Sequence, residues 1–409
     1  MENILSYIWR YNILKGNKLQ LSDGTAVEVV MPGNDSNQNL IFSDAVLRVD
    51  GTPSKMRVAI APASPKDCDL YVTSCNEKID EECYCLVIPF SEEIERLRKK
   101  LLSKYEDLPC SYSFKDLPSI FITDLISSLA IERLQGKSER IKEWLSIYNG
   151  DWEEVCYISI ARSLGFGING NAFEALAKAL PLKFLQKHAD SLFQLEAMLF
   201  GVAGFLTEGA YPDNQYYKRL VNEFAFLKSK FTLPVNDVKL WRFGGMRPSN
   251  FPHQRIALLA ALIHTSLPIF AKFIDADGED KLRKVFEVYP SDYWEVHYTF
   301  GADTPPLRKT LGKTAVDLLI INSVAPLLYA YSEYIKRDEY ATRAISLLEG
   351  CKAENNAIVR KFTDSGLPCD SALASQAFIS LHNNYCTSRK CINCKIGYKL
   401  FKEEVKRVV

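Results

Sequence analysis

Over the first ninety residues, apolar and polar positions alternate in short runs. That period of two predicts strands. Lys18–Val30 alternates around Asp23-Gly24 and predicts a hairpin. Phe42–Val49, Met56–Ile60, Asp69–Thr73 and Cys83–Phe90 are further strand candidates, punctuated by Asp50-Gly51 and Pro62. The period then changes. Ser91 before Glu92-Glu93 predicts a capped helix start, with Ile94, Leu97, Leu101 and Tyr105 along one stripe.

From Ile120 nearly to the end, apolar residues recur at helical spacing. Asp151 predicts a cap for the run carrying Val155, Ile158 and Leu164, and Asn171 with Glu174 predicts a capping box. Pro181 opens a long predicted helix through Leu185, Leu192, Leu195 and Leu199, with Gly201 and Gly204 leaving room for a close neighbour. Tyr216–Phe231, Gln254–Ile263, Gly278–Val288, Ala315–Ile335 and Glu339–Phe362 continue the pattern. It lapses between Leu233 and Pro252, around Gly244-Gly245, and a loop that long among helices is often functional. The expected architecture is α+β. A β-rich α/β domain over residues 1–115 precedes a large all-helical domain over 116–409, which ends in a cysteine-containing segment.

Composition narrows the function. The chain has 409 residues, 47% hydrophobic and 24% charged, enough for a full globular core. Fifty cations balance fifty anions, so a globally basic nucleic-acid coat is excluded and any electrostatic partner must meet a local patch. The most apolar runs, Ala197–Leu206 and Leu318–Tyr331, fall short of the ~18 residues of a membrane span and read as core helices. The start lacks a basic region followed by an apolar run. With eleven cysteines, an odd count, the expectation is a cytoplasmic chain of reduced thiols without a membrane partner.

Several motifs match only by letters. Gly165-Phe166-Gly167-Ile168-Asn169-Gly170 fits Gly-x-Gly-x-x-Gly, but a helix precedes it where dinucleotide binding needs a strand. Asp275-Ala276-Asp277-Gly278 imitates a calcium loop, yet its glycine comes too early and Phe286 stands in the place of the bidentate Glu. The histidines at 188, 253, 264, 297 and 382 show no ligand spacing.

Two constellations carry more. Cys386, Cys391 and Cys394 place three thiols within nine residues, and a Cys-x2-Cys pair converges readily on a soft metal. Cys369, His382 and Cys351 are candidates for a fourth ligand. Three metal-free reduced thiols are the first reading; the metal alternative is one zinc ion, with an iron–sulfur cluster behind it. The flanks are basic, with Arg389, Lys390, Lys395, Lys399, Lys402, Lys406 and Arg407 against Glu403 and Glu404. The irregular loop interleaves Lys239, Arg242, Arg247, His253 and Arg255 with Trp241, Phe243 and Phe251. Cations beside aromatics suit phosphate contacts and base stacking. A packing role, with Trp241 anchoring the loop, is the competing reading.

The stretch from Leu240 to Ala257 resembles the domain-of-unknown-function family 2851, a bacterial family. Gly150-Asp151-Trp152-Glu153-Glu154, Gly165–Gly170, Leu199-Phe200-Gly201, Leu319–Pro326 and Tyr385–Gly397 are similar too. The resemblance implies Gly-Pro-Asp-Phe and Val-Glu-Ile-His stretches on adjacent N-terminal strands, carboxylates of the kind a restriction-endonuclease-like site uses to hold Mg²⁺. This chain has Asn39-Leu40-Ile41-Phe42 and Val58-Ala59-Ile60-Ala61 there, so Ile41 and Ala59 replace both acids. The expected function is a non-catalytic nucleic-acid-associated module with a degenerate nuclease-like domain. The alternatives are a protein-interaction scaffold, or a divergent metal-dependent nuclease using Glu28, Asp44 or a site elsewhere.

Overall fold

A computed structural model describes residues 4–17, 19–35, 40–74, 83–88, 92–103, 107–276, 278–301, 303–391 and 393–408. The chain forms two compact units. The first takes residues 1–125, 360–367 and 379–409, and the second takes 126–359 and 368–378. The division expected at 115/116 assigned the whole C-terminus to the helices, whereas residues 379–409 return to the first unit. Packing explains this. Helix Lys395–Val408 buries Ile396, Phe401 and Val405, the Phe401 ring lies 5.2 Å from that of Tyr7, and the Tyr398 hydroxyl donates to the Asn12 carbonyl at 3.4 Å.

The first unit holds the sheet. Its strands are β1 (Leu19–Gln20), β2 (Ala26–Met31), β3 (Asn34–Asp35), β4 (Ile41–Val49), β5 (Thr52–Ile60), β6 (Leu70–Thr73) and β7 (Tyr84–Val87). The order is β1-β2-β4-β5-β6-β7, with β3 pairing β4. The expected hairpin forms, with Leu19 opposite Val27. β4 and β5 join through Asp50 at φ 44° and Gly51 at φ 84°, a turn whose two positive φ angles match the strand twist. β5, β6 and β7 run parallel, and every residue of β6 is buried, as parallel strands require. Glu92–Leu101 is the expected helix; Lys18, Asn39, Phe90, Ser91 and Tyr105 lie outside the described residues. Helix Ile4–Arg10 was not expected. It buries Tyr7, Ile8 and Trp9, and Trp9 Nε1 donates to the Pro32 carbonyl at 3.0 Å.

The second unit is helical. Asp151 caps Trp152–Leu164, its Oδ1 accepting from the Glu154 N–H at 3.0 Å. Glu174 does not complete a capping box: Asn169 is the N-cap, and Glu174 pairs with Arg162 and Lys178. The long helix expected from Pro181 breaks into Leu182–Gln186 and Leu192–Val202, the second capped by Ser191. Gly201 faces the Phe224 ring, which a Cβ would meet at 2.2 Å, so the expected close packing is real. The helix expected over 339–362 also breaks, into Asp338–Gly350 and Ala357–Asp364, and that over 278–288 shortens to Glu279–Lys284.

Lys313–Leu319, a π turn at Ile320–Val324 and Ala325–Ile335 form one continuous helix. At 23 residues it is long and apolar enough to cross a membrane by length and composition, beyond the shorter run expected, and 78% of its apolar window is buried within the chain. The Ser323 hydroxyl in the π turn donates toward the Ser159 carbonyl at 2.8 Å and lies 2.7 Å from Ser163 Oγ.

Candidate functional site

In the second unit the irregular loop is pinned near its middle, at Trp241 and Arg242. Helix Trp152–Leu164 ends at Gly165, where a Cβ would lie 2.4 Å from the Asn169 backbone. Phe166 at φ 43° and Gly167 at φ 84° then reverse the chain, which only a glycine-rich turn does cheaply. The reversal aims Asn169 at the loop. Its Oδ1 accepts from the Arg242 N–H and its Nδ2 donates to the Arg242 carbonyl, both at 2.9 Å. Trp241 is buried, its Nε1 donating to the Ala203 carbonyl at 2.9 Å and its ring edge-on to Phe173 at 4.9 Å.

Arg255 lies in the first turn of helix Pro252–Ser266 and is 5% exposed. Its Nη2 donates to Asn250 Oδ1 at 2.6 Å, and its guanidinium lies 4.5 Å from the centre of the Phe166 ring. Its Nε and Nη1 have no hydrogen-bond partner among the described residues. Burial alone pulls its pKa down to about 10, so no carboxylate offsets the charge. His253 is also buried. Burial drives it down to about 3, and Phe205 and Phe300 flank it at 4.3 and 5.2 Å.

The six loop residues therefore divide. Trp241, His253 and Arg255 are interior, where Trp241 and His253 cannot reach a base. Lys239, Arg242 and Arg247 are exposed, with no carboxylate partner among the described residues.

A second feature was missed in the sequence. Tyr211, Asn214, Tyr216, Tyr293, His297 and Asp303 line an open pocket of about 550 Å³. Tyr216, Tyr293 and His297 stack in sequence at 4.2 and 3.9 Å, with ring planes within 11° and 8°. His297 Nε2 lies 2.8 Å from Asp303. Gln254, on the Arg255 helix, donates to the His297 carbonyl at 2.8 Å. Beneath the pocket, Glu196 is fully buried, meeting Ser291 Oγ at 3.0 Å, Trp294 Nε1 at 3.1 Å and the Tyr216 hydroxyl. Burial raises its pKa to about 8, against the lowering by those hydrogen bonds. The available signal was Tyr293-Trp294-Glu295-Val296-His297, aromatics around a histidine, which fold as a short 3-10 turn over Asp292–Glu295.

In the first unit, Ile41 and Ala59 are direct register partners on β4 and β5, and both are apolar. Glu28 is paired with Arg48 at 2.6 Å, and Asp44 lies 3.8 Å from Lys55. Glu28 stands opposite Arg48, four residues along β4 from Asp44, or about 13 Å at the usual strand rise. A shared Mg²⁺ needs ligands within about 4–5 Å of one another, so these two acids do not rescue a nuclease site.

Cys386, Cys391 and Cys394 are in the first unit. Cys369 and Cys351 are in the second. Cys369 has Asp370 and Glu354 as its charged neighbours, and Arg283 Nη2 lies 3.7 Å from the Cys351 sulfur. His382 Nδ1 is taken by Asn383 Oδ1 at 3.1 Å. Among the described residues, no three Cys, His, Asp or Glu side chains stand arranged as a ready metal cage.

An N-terminal sheet with a large helical part around the 165–170 turn and the 233–252 loop defines an α+β protein. The chain matches the family described as protein of unknown function (DUF2851) over residues 72–357, and it belongs to that family. The match takes in the turn and the loop and ends before the C-terminal cysteines. No curated protein and no solved structure matches the chain.

Proposed function

We propose that the chain binds nucleic acid through the 239–255 loop without cutting it. The observation that carries this reading is the loop's division of labour. Asn169 and Trp241 fix its backbone, so Lys239, Arg242 and Arg247 are presented from a rigid frame with little left to order on binding. Arg255, buried against Phe166 and Asn250, adds a positive charge that no carboxylate among the described residues offsets. Phosphate oxygens are the acceptors these cations fit. The base-stacking role expected of Trp241 passes to the open tyrosine pocket, whose parallel rings suit any planar base.

The test is fluorescence anisotropy of labelled single- and double-stranded DNA and RNA over a salt series. The expected result is affinity that falls linearly with salt on logarithmic axes. Absence of binding at low salt overturns the reading. A protein-interaction scaffold is the second reading, and the burial of Trp241, His253 and Arg255 favours it. Capture of protein without nucleic acid, unchanged by Arg247→Ala, would support that one.

A further inference from the structure

Four cysteines of the first unit come from three separate stretches. Cys110 precedes the short helix Ser111–Asp116, Cys386 ends the π turn His382–Cys386, and Cys391 and Cys394 precede helix Lys395–Val408. Two hydrogen bonds from C-terminal side chains reach backbone carbonyls on the N-terminal side of Cys110. Arg389 Nη1 donates to the Asp107 carbonyl at 3.2 Å, and the Cys391 thiol donates to the Leu101 carbonyl at 3.2 Å. Cys110, Cys391 and Cys394 are 8%, 7% and 6% exposed, and Cys386 is half-buried. Burial raises Cys110 first, then Cys394, Cys386 and Cys391 raise it further, and Cys386 is pushed up to about 12 by burial and then by Cys394 and Cys391.

The backbone around the pair is shaped for thiolates. The Cys394 N–H bonds the Cys391 carbonyl at 3.3 Å, closing a tight turn. Gly397 is obligatory there, because a Cβ would fall 1.9 Å from the Cys391 oxygen. The turn aims the Ile396 and Gly397 amides at the Cys394 sulfur, at the first turn of a 14-residue helix. Amides and a helix N-terminus stabilise a thiolate and give a neutral thiol little. Arg389 lowers Cys386 and Cys391 against their burial and would offset part of the net charge of a four-thiolate zinc site, while Lys395 is paired with Asp124 at 2.8 Å. Buried apolar cysteines need none of this.

We propose that Cys110, Cys386, Cys391 and Cys394 hold one structural zinc ion, with Cys110 as the fourth ligand. Binding replaces four S–H protons with four Zn–S bonds and releases the protons, so affinity falls as pH falls. The Cys391 thiol gives up its bond to Leu101, and the sulfurs turn about χ1 to close a tetrahedron. The ion would tie residues 107–110 to 386–394.

The test is the metal content of the full chain, expressed in zinc-replete medium and measured by native mass spectrometry. One zinc per chain is expected, unchanged in Cys369→Ser and lost in Cys110→Ser. A metal-free wild type, iron in place of zinc, or full zinc retained by Cys110→Ser overturns the proposal. Should Cys110→Ser not fold, exchange of Co²⁺ into the wild type decides. Absorption of a tetrahedral all-thiolate site supports four cysteines, and a spectrum with nitrogen or oxygen ligands, or no uptake, excludes them.

Discussion

Asn169 satisfies both backbone polar groups of Arg242, accepting from its N–H and donating to its carbonyl at 2.9 Å each. A side chain 73 residues away thus replaces the ladder partner that a strand would give the loop. Asn169→Ala leaves both groups without that partner. Both bonds are only partly buried, so the expected cost is about 1–3 kcal/mol for the pair, read from the midpoint of urea unfolding. Asn169→Asp keeps the acceptor alone and should fall between the two. A midpoint unchanged in Asn169→Ala would show that the loop is held elsewhere.

Stability and binding should separate along the loop. Trp241→Ala removes a buried ring and is expected to cost about 3–5 kcal/mol. Arg242→Ala with Arg247→Ala touches only exposed side chains and should stay within about 0.5 kcal/mol of wild type per site. That double variant should lower the salt slope of nucleic-acid binding by about 2, one for each phosphate that an arginine no longer neutralises. An unchanged slope would remove both arginines from the interface.

Glu196 makes stability depend on pH in the direction opposite to an ordinary surface acid. Burial lifts its folded value to about 8 from 4.5, so between these values the unfolded chain has released a proton that the folded chain keeps. Stability therefore falls as pH rises through that window, by at most about 1.4 kcal/mol per pH unit from this group, and levels off above it. Glu196→Gln, which carries no proton to release, should flatten the profile between pH 5 and 8. Denaturation at a series of pH values checks this, and parallel profiles for the two proteins would contradict it.

Gly201→Ala places a methyl 2.2 Å from the Phe224 ring, between helices Leu192–Val202 and Gln215–Phe231. Overpacking of this kind costs about 1–3 kcal/mol. Pairing it with Phe224→Leu should recover part of the loss, which a double-mutant cycle in thermal unfolding measures.

Strands that alternate strictly and turn at Asp-Gly pairs were legible, because side-chain period and turn chemistry agree there. The breaks at 187–191 and 351–356 were not, since apolar spacing continues across them. Ser191, whose hydroxyl accepts from the Gln194 N–H, carried the missing signal. At the site, residue type announced cations and aromatics but not which way they face. Trp241 and Arg255 belong to the interior, while Lys239 and Arg247, with the same credentials in sequence, face solvent. Cys110 was invisible for another reason. Its thiol partners lie more than 270 residues downstream, and only the return of the C-terminal helix to the first unit brings them together.

The π turn at Ile320–Val324 has a consequence for the longest apolar helix. An additional residue in one turn rotates everything after it by about 100° relative to everything before it. The half before the turn and the half after it thus present independently indexed faces, although apolar spacing reads as one uninterrupted stripe. Deleting Asn322 would remove the additional residue and its rotation together, so regular winding would keep Leu327 and Leu328 on the core and lose only the wide turn that carries Ser323 to Ser159 and Ser163. A single-residue deletion there should do less harm than the same deletion in either α-helical half, where everything downstream would rotate by about 100°.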